Sequence, residues 1–324
     1  MKESPRRGEA KDILPSHTAN SVAIRIGTVC CRLECDDDGL IGEWRNRYSA
    51  HLTDDYADLT IRLEPVQQLK PDEVDSAIAE LRFIHRGDGF AEVTGLIQGH
   101  HDLDRRVVVM RGDKALLNPD LQFNSMNRLL CMAYYTACKI KYDGNPPAYL
   151  VHSCGIARNG SALLFSGPSD AGKTTIAGLC SEEHGQVLND EAMLVARPGT
   201  DGAKLWAQGT PMIGGHPSSS SQRLPISCVL LLKKSDQAAA RRLDRVEAYV
   251  KFMRQVLNPA YIGQRGGRHV YAQIAQFSDE ITTAVPFYEL EFPIDAKLWN
   301  TIAEIEETLG KGAKPNGWKT TNLG

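Results

Sequence analysis

The apolar run Ala162-Leu163-Leu164-Phe165, followed by Gly167-Pro168-Ser169-Asp170-Ala171-Gly172-Lys173-Thr174-Thr175, constrains this chain more than any other stretch. An apolar strand, a glycine-spaced loop and a helix opening at Thr174 come in that order, which sets the segment into an α/β sheet. Gly167, Gly172, Lys173 and Thr174 satisfy the pattern G-x-x-x-x-G-K-[ST]. Such spacing lets the backbone N–H groups from Ser169 through Thr175 converge on phosphate oxygens, with the helix start adding partial positive charge. Lys173 then reaches the β- and γ-phosphates, and the Thr174 hydroxyl serves Mg²⁺. The expected ligands are ATP and Mg²⁺.

Seventeen residues beyond Lys173 stands Asp190, followed by Glu191 and preceded by the apolar Val187-Leu188. Magnesium takes hard oxygen ligands and neutralises charge on the β- and γ-phosphates, so an acidic pair at a strand end suits phosphoryl chemistry. A carboxylate can also take the proton of an attacking hydroxyl. The metal ligands expected are Thr174 and Asp190. Fifteen residues before Gly167 lies His152, in Leu150-Val151-His152-Ser153. Alone it reads as a structural histidine.

The rest of the 324 residues divides by pattern. Residues 1–20 are charged and lack periodicity, as a disordered tail does. Residues 21–115 form an expected α+β domain. Val22/Ile24/Ile26, Leu59/Ile61/Leu63 and Val107/Val109 alternate as strands, Asp36–Gly39 reads as a turn, and 72–81 reads as helical. From 116 to 309 an α/β domain with a mixed sheet is expected. It opens with helical spacing over 118–140 and closes with a helix capped by Asp295 and running to about Leu309. Helices are also expected over 174–184 and 245–257, strands over 148–151, 205–211, 226–232 and 286–292, and a loose tail over 310–324. Ser218–Ser221, with His216 and Arg223 beside it, reads as a surface loop, and Gly263–Arg268 as a linker.

Bulk properties exclude some classes. A net charge of −3 gives no reason to expect nucleic acid, and no apolar stretch approaches membrane-span length. The first ten residues lack the apolar centre of a secretory signal, so a cytoplasmic protein is expected. None of the eight cysteines forms a C-x-x-C pair, and the expectation is reduced, buried thiols.

A histidine on the strand entering the domain, a turn, the glycine-rich loop and an acidic pair on the next strand resemble the catalytic domain of bacterial HPr kinase/phosphorylase. That domain is organised like ATP-dependent phosphoenolpyruvate carboxykinase, whose loop wording is similar. Gly209-Thr210-Pro211, the strand 226–232 and Val285–Leu290 also resemble divergent HPr-kinase-like proteins found near peptide-modification gene clusters. The resemblance covers residues 148–309. It implies an α/β, P-loop-containing HPr kinase/carboxykinase-like domain and an ATP-dependent kinase. The catalytic residues it implies are Asp190 as general base, His152 near the γ-phosphate, and Lys173. Glu191 stands where the family's second aspartate, a metal ligand, would be. HPr kinases are hexameric, so the resemblance also implies a homo-oligomer. The family's Glu-x-Arg-Gly signature has no counterpart, Trp206-Ala207-Gln208-Gly209 occupying that neighbourhood. The expected acceptor is therefore a hydroxyl, serine first, on a protein, peptide or small molecule. The alternative is an ATP-binding accessory module without phosphotransfer.

Overall fold

The computed structural model describes residues 20–66, 83–86, 89–92, 97–102, 104–118, 123–197, 205–257, 267–295 and 297–312. The segment 72–81, the tail 1–19 and the residues 313–324 lie outside them.

The first strands follow the period-two pattern. β1 (Ser21–Ile26) pairs antiparallel with β2 (Val29–Cys35) through a turn at Gly27, whose φ is 62°. The chain does not turn over Asp36–Gly39 as expected. It enters a helix, α1 (Asp38–Arg47), because the Asp37 carboxylate accepts from the N–H of Leu40 and so caps the first turn. Leu40, Ile41 and Trp44 then fall on one buried face. β3 (Leu59–Val66) lies parallel to β2, and β7 (Val107–Asp113) parallel to β3. Three further strands, β4 (Phe83–Arg86), β5 (Gly89–Glu92) and β6 (Ile97–Asp102), extend the sheet antiparallel in the order β1-β2-β3-β7-β6-β5-β4.

A short helical turn, α2 (Lys114–Leu117), leads to the long helix α3 (Phe123–Tyr142), which packs on β2 and β3. The second sheet is mixed, with its strands in the order β11-β9-β10-β14-β13-β12-β8. These are β8 (Ala148–Val151), β9 (Ser153–Arg158), β10 (Ser161–Ser166), β11 (Gln186–Asn189), β12 (Met193–Ala196), β13 (Trp206–Gly209) and β14 (Arg223–Lys234). β14 is long enough to serve two neighbourhoods. Its first residues pair with β13, and its later ones run parallel to β10 on one side and to β16 (Phe287–Phe292) on the other. β15 (Ala239–Arg242) pairs with β16.

Strand alternation sorts side chains onto two faces. From β10, Ala162 and Leu164 join the core shared with α3, α5 (Arg245–Met253) and α6 (Gly267–Ala284). Leu163 and Phe165 join the opposite core, against α4 (Lys173–Gly178) and α7 (Leu298–Gly312). β14 repeats this with Val229 and Leu231 against Cys228, Leu230 and Leu232. Helices on both faces of a mixed sheet make the architecture mixed α/β. Helix α4 is shorter than the expected 174–184, ending at Leu179 where the chain passes into turns. α6 begins within the stretch read as a linker, and buries Val270, Ile274, Phe277 and Ile281 at helical spacing. Among the described residues no helix is long and apolar enough to cross a membrane.

Candidate functional site

The glycine-rich loop leaves the end of β10 and returns as α4. Gly172 adopts φ 107°, and a Cβ there would sit 2.6 Å from Phe292 Cζ, so both conformation and space demand glycine. At Gly167 the close neighbour is Ala171, whose Cβ would lie 2.8 Å from an added Cβ. Lys173 is 6% exposed, and its ammonium folds back to donate to the carbonyls of Gly167 and Pro168, both at 3.0 Å. Burial pushes its pKa down, opposed by the charge of Glu191.

The acidic pair sits in the turn between β11 and β12. Asn189 builds that turn. Its Oδ1 accepts from the N–H groups of Glu191 and Ala192, and its Nδ2 donates to the carbonyls of Thr210 and Met212. Asp190 is enclosed. Oδ1 accepts from the N–H of Gly214 at 2.9 Å, and Oδ2 accepts from the Thr174 hydroxyl and the N–H of His216, each at 2.9 Å. A Cβ at Gly214 would meet that carboxylate at 2.8 Å, so glycine is what allows the backbone so close. Asn127 of α3 holds the other side of this loop, exchanging hydrogen bonds with the N–H and carbonyl of Ile213.

Glu191 has a different setting. It lines a cavity of about 370 Å³ together with His152, Ser169, Asp170, Gly172 to Thr175, Gly214, Gly215 and Lys234. Burial raises its pKa, partly offset by the positive charge of Lys173. His152 Nε2 stands 3.8 Å from Glu191 Oε2. Burial and the neighbouring Lys173 push the imidazole down to about 4, so it is neutral at physiological pH and the contact is a proximity rather than an ion pair. The His152 backbone is fixed by its N–H donating to the Gln255 carbonyl and its carbonyl accepting from the Ser166 hydroxyl.

The fold therefore gathers Lys173, Thr174, Glu191 and His152 around one cavity, with Ser169, Asp170, Gly172 and Thr175 on its walls and Asp190 enclosed behind Thr174, to which it is hydrogen-bonded. Ala171 turns toward the core beneath α4, and Gly167 borders a neighbouring cavity of about 550 Å³. Arg223 is engaged elsewhere. Its guanidinium lies over the Trp206 ring at 4.3 Å, and its Nε donates to Gln208 Oε1. Asn189, Asn127, Gly214 and the His216 N–H were not foreseen. The Gly214-Gly215 pair was the available signal, a place where backbone can approach another group closely. The oxygen set of Thr174, Asp190 and Glu191 has the chemistry a magnesium ion requires, with Asp190 already oriented by three donors.

The fold and site define a mixed α/β protein in which a glycine-rich strand-to-helix loop faces an Asp-Glu pair, Asp190 buried and Glu191 half-buried. Residues 114–307, roughly three fifths of the chain, match the sequence profile of the family described as ScmC: SynChlorMet cassette protein ScmC. The chain belongs to this family. The matched stretch starts where β7 ends and takes in every element of the candidate site. No curated protein matches the chain in sequence.

Proposed function

We propose that this protein is an ATP-dependent phosphotransferase with an HPr-kinase-like P-loop domain, moving the γ-phosphoryl group to an acceptor hydroxyl. The observation that carries the reading is the hydrogen bond from the Thr174 hydroxyl to the Asp190 carboxylate, beside the loop lysine and a cavity-facing Glu191. Phosphoryl transfer asks mainly for positioning and charge neutralisation, and these residues supply both. Thr174 and Asp190 would hold Mg²⁺, which supplies charge neutralisation on the β- and γ-phosphates. Lys173 releases the Gly167 and Pro168 carbonyls and takes the phosphates in their place.

The resemblance gives the base role to Asp190 and the metal role to Glu191. The geometry favours the reverse. Both Asp190 oxygens already accept hydrogen bonds and the residue is 1% exposed, while Glu191 faces the cavity with a raised pKa suited to taking a proton. Neutral His152 orients the incoming hydroxyl.

The second reading is an ATP-gated binding module without transfer. It is favoured by Gln208, buried and bonded to Arg223 in the stretch where the resemblance expects a catalytic signature. Incubation of purified protein with γ-labelled ATP, Mg²⁺ and candidate acceptors decides between them. Label should pass to an acceptor with the wild type and drop at least about a hundredfold with Glu191→Gln, ATP affinity being kept. Lys173→Ala should lose affinity and turnover together. ATP binding with no Glu191-dependent label would select the binding module.

A further inference from the structure

A second cavity of about 370 Å³ adjoins the loop cavity, and the two share His152, Ser169 and Glu191. Those three residues form a polar boundary facing the phosphate side. Behind it the wall is mostly apolar, built by Leu129, Cys131 and Met132 of α3 with Ala192, Met212 and Leu257, and Arg128 of the same helix completes the lining. Burial pushes the Cys131 thiol up to about 12, so it presents a neutral sulfur. Together with the two methionines it makes a soft wall that accommodates varied apolar shapes. Asn127 also borders the cavity, but its amide is bonded to both backbone groups of Ile213 and fixes the wall.

Size narrows the occupant. The cavity has room for on the order of a dozen waters and lies at the small end of small-molecule sites. That suits a single bulky residue. A polyol would turn part of its hydroxyls toward the thioethers and aliphatic carbons of the apolar side, at a cost for each left without a partner. The 550 Å³ cavity on the other side of His152 is less suited, since its Lys233 and Lys251 already pair with Glu291 and Glu289.

We propose that this chamber receives the acceptor, a hydroxyl carried on an apolar body the size of one bulky amino-acid residue, free or within a peptide. The inference rests on the phosphotransfer reading. The acceptor oxygen bonds to the γ-phosphorus as the bond from that phosphorus to the β-phosphate oxygen breaks. The hydroxyl proton passes to the Glu191 carboxylate, and ADP leaves with the electron pair.

The test measures label transfer from ATP to the blocked amino acids N-acetyl-phenylserine amide, N-acetyl-tyrosine amide and N-acetyl-serine amide, to glycerol, and to hexapeptides carrying the same residues. At least one apolar-bodied acceptor should exceed serine amide and glycerol about tenfold in kcat/KM. Leu257→Trp, which fills the chamber from its partly buried edge, should remove that preference while ATP affinity and melting temperature stay near wild type. A tenfold preference for the peptide or for the free form identifies the carrier. Equal use of glycerol and phenylserine amide, or an unaffected Leu257→Trp variant, overturns the proposal. Should no acceptor take label while ATP binds, the phosphotransfer reading falls. The chamber is then judged by calorimetric binding of N-acetyl-phenylserine amide with a non-hydrolysable ATP analogue. Binding lost in Leu257→Trp sustains an apolar ligand site, and no binding by wild type ends it.

Discussion

Asp190 and Glu191 are neighbours in sequence and opposites in circumstance. One carboxylate is saturated by three donors, and the other borders a cavity beside a buried ammonium. The difference gives a pH signature. Burial lifts the Glu191 pKa above the ordinary carboxylate range, and a base works deprotonated, so kcat/KM should rise with pH through that raised value. Glu191→Gln should abolish this acid limb together with the hundredfold or larger rate loss, and Glu191→Asp should keep a limb at reduced rate. A pH–rate profile for the three proteins checks it, and a limb that persists in Glu191→Gln would move the base elsewhere. At this scale the sequence displayed the chemistry-bearing letters well, since Gly167, Lys173, Thr174 and the acidic pair sit at fixed spacing. It did not display which carboxylate is enclosed. That depends on N–H groups of Gly214 and His216, which arrive 24 and 26 residues later in the chain.

The strand–loop–helix unit of β10 and α4 is held by a contact from outside itself. Phe292, at the end of β16, lies over Gly172, and α4 has only six residues to fix the loop. Gly172→Ala combines a left-handed φ with an overlap against that ring, and should cost about 2–4 kcal/mol. Adding Phe292→Leu should return the overlap part and leave the backbone part, so the double variant should be more stable than Gly172→Ala alone. Urea unfolding of the three variants measures the split. A double variant no more stable than the single one would place the whole cost in the backbone. Among elements, β1 and β3 were legible because their period of two puts Val22, Ile24 and Ile26, and Leu59, Ile61 and Leu63, on one buried face, and β16 because it sends Phe287 to one core and Tyr288, Leu290 and Phe292 to the other. α1 was hidden behind Asp36-Asp37-Asp38-Gly39, letters that serve a turn or a helix cap equally well. α6 was hidden because glycines at its start drew the eye from the Val270, Ile274, Phe277 and Ile281 stripe.

At the scale of the whole molecule, the first sheet and the site-bearing sheet share one core. Leu33, Ile61 and Met110 belong to the same buried cluster as Leu130, Leu194 and Phe252, with α3 between them. Composition suggested two units meeting near residue 115, but could not show that α3 needs cover from both. A fragment spanning 114–312 exposes the α3 face that packs on β2 and β3, and should lack a cooperative thermal transition. His51 marks the same seam. It is 2% exposed, its Nε2 lies 2.6 Å from the Ser219 hydroxyl, and that hydroxyl donates to the Thr210 carbonyl, so Nε2 carries the proton. Nδ1 is buried and makes no hydrogen bond of ordinary geometry among the described residues, the backbone of Arg25 giving it only weak support. Burial pushes the ring from 6.5 down to about 4. The folded state therefore binds fewer protons than the unfolded chain between those values. The stability involved is fully present above pH 6.5 and is lost as pH falls toward 4. At pH 5 the loss from this residue is about 2 kcal/mol. His51→Gln keeps a donor for Ser219 and does not titrate. Its unfolding free energy should drop less between pH 7 and pH 5 than that of the wild type, by about that amount, with His152 still contributing the same sign in both proteins. Equal slopes for the two proteins would show that His51 keeps an ordinary affinity for its proton in the folded state.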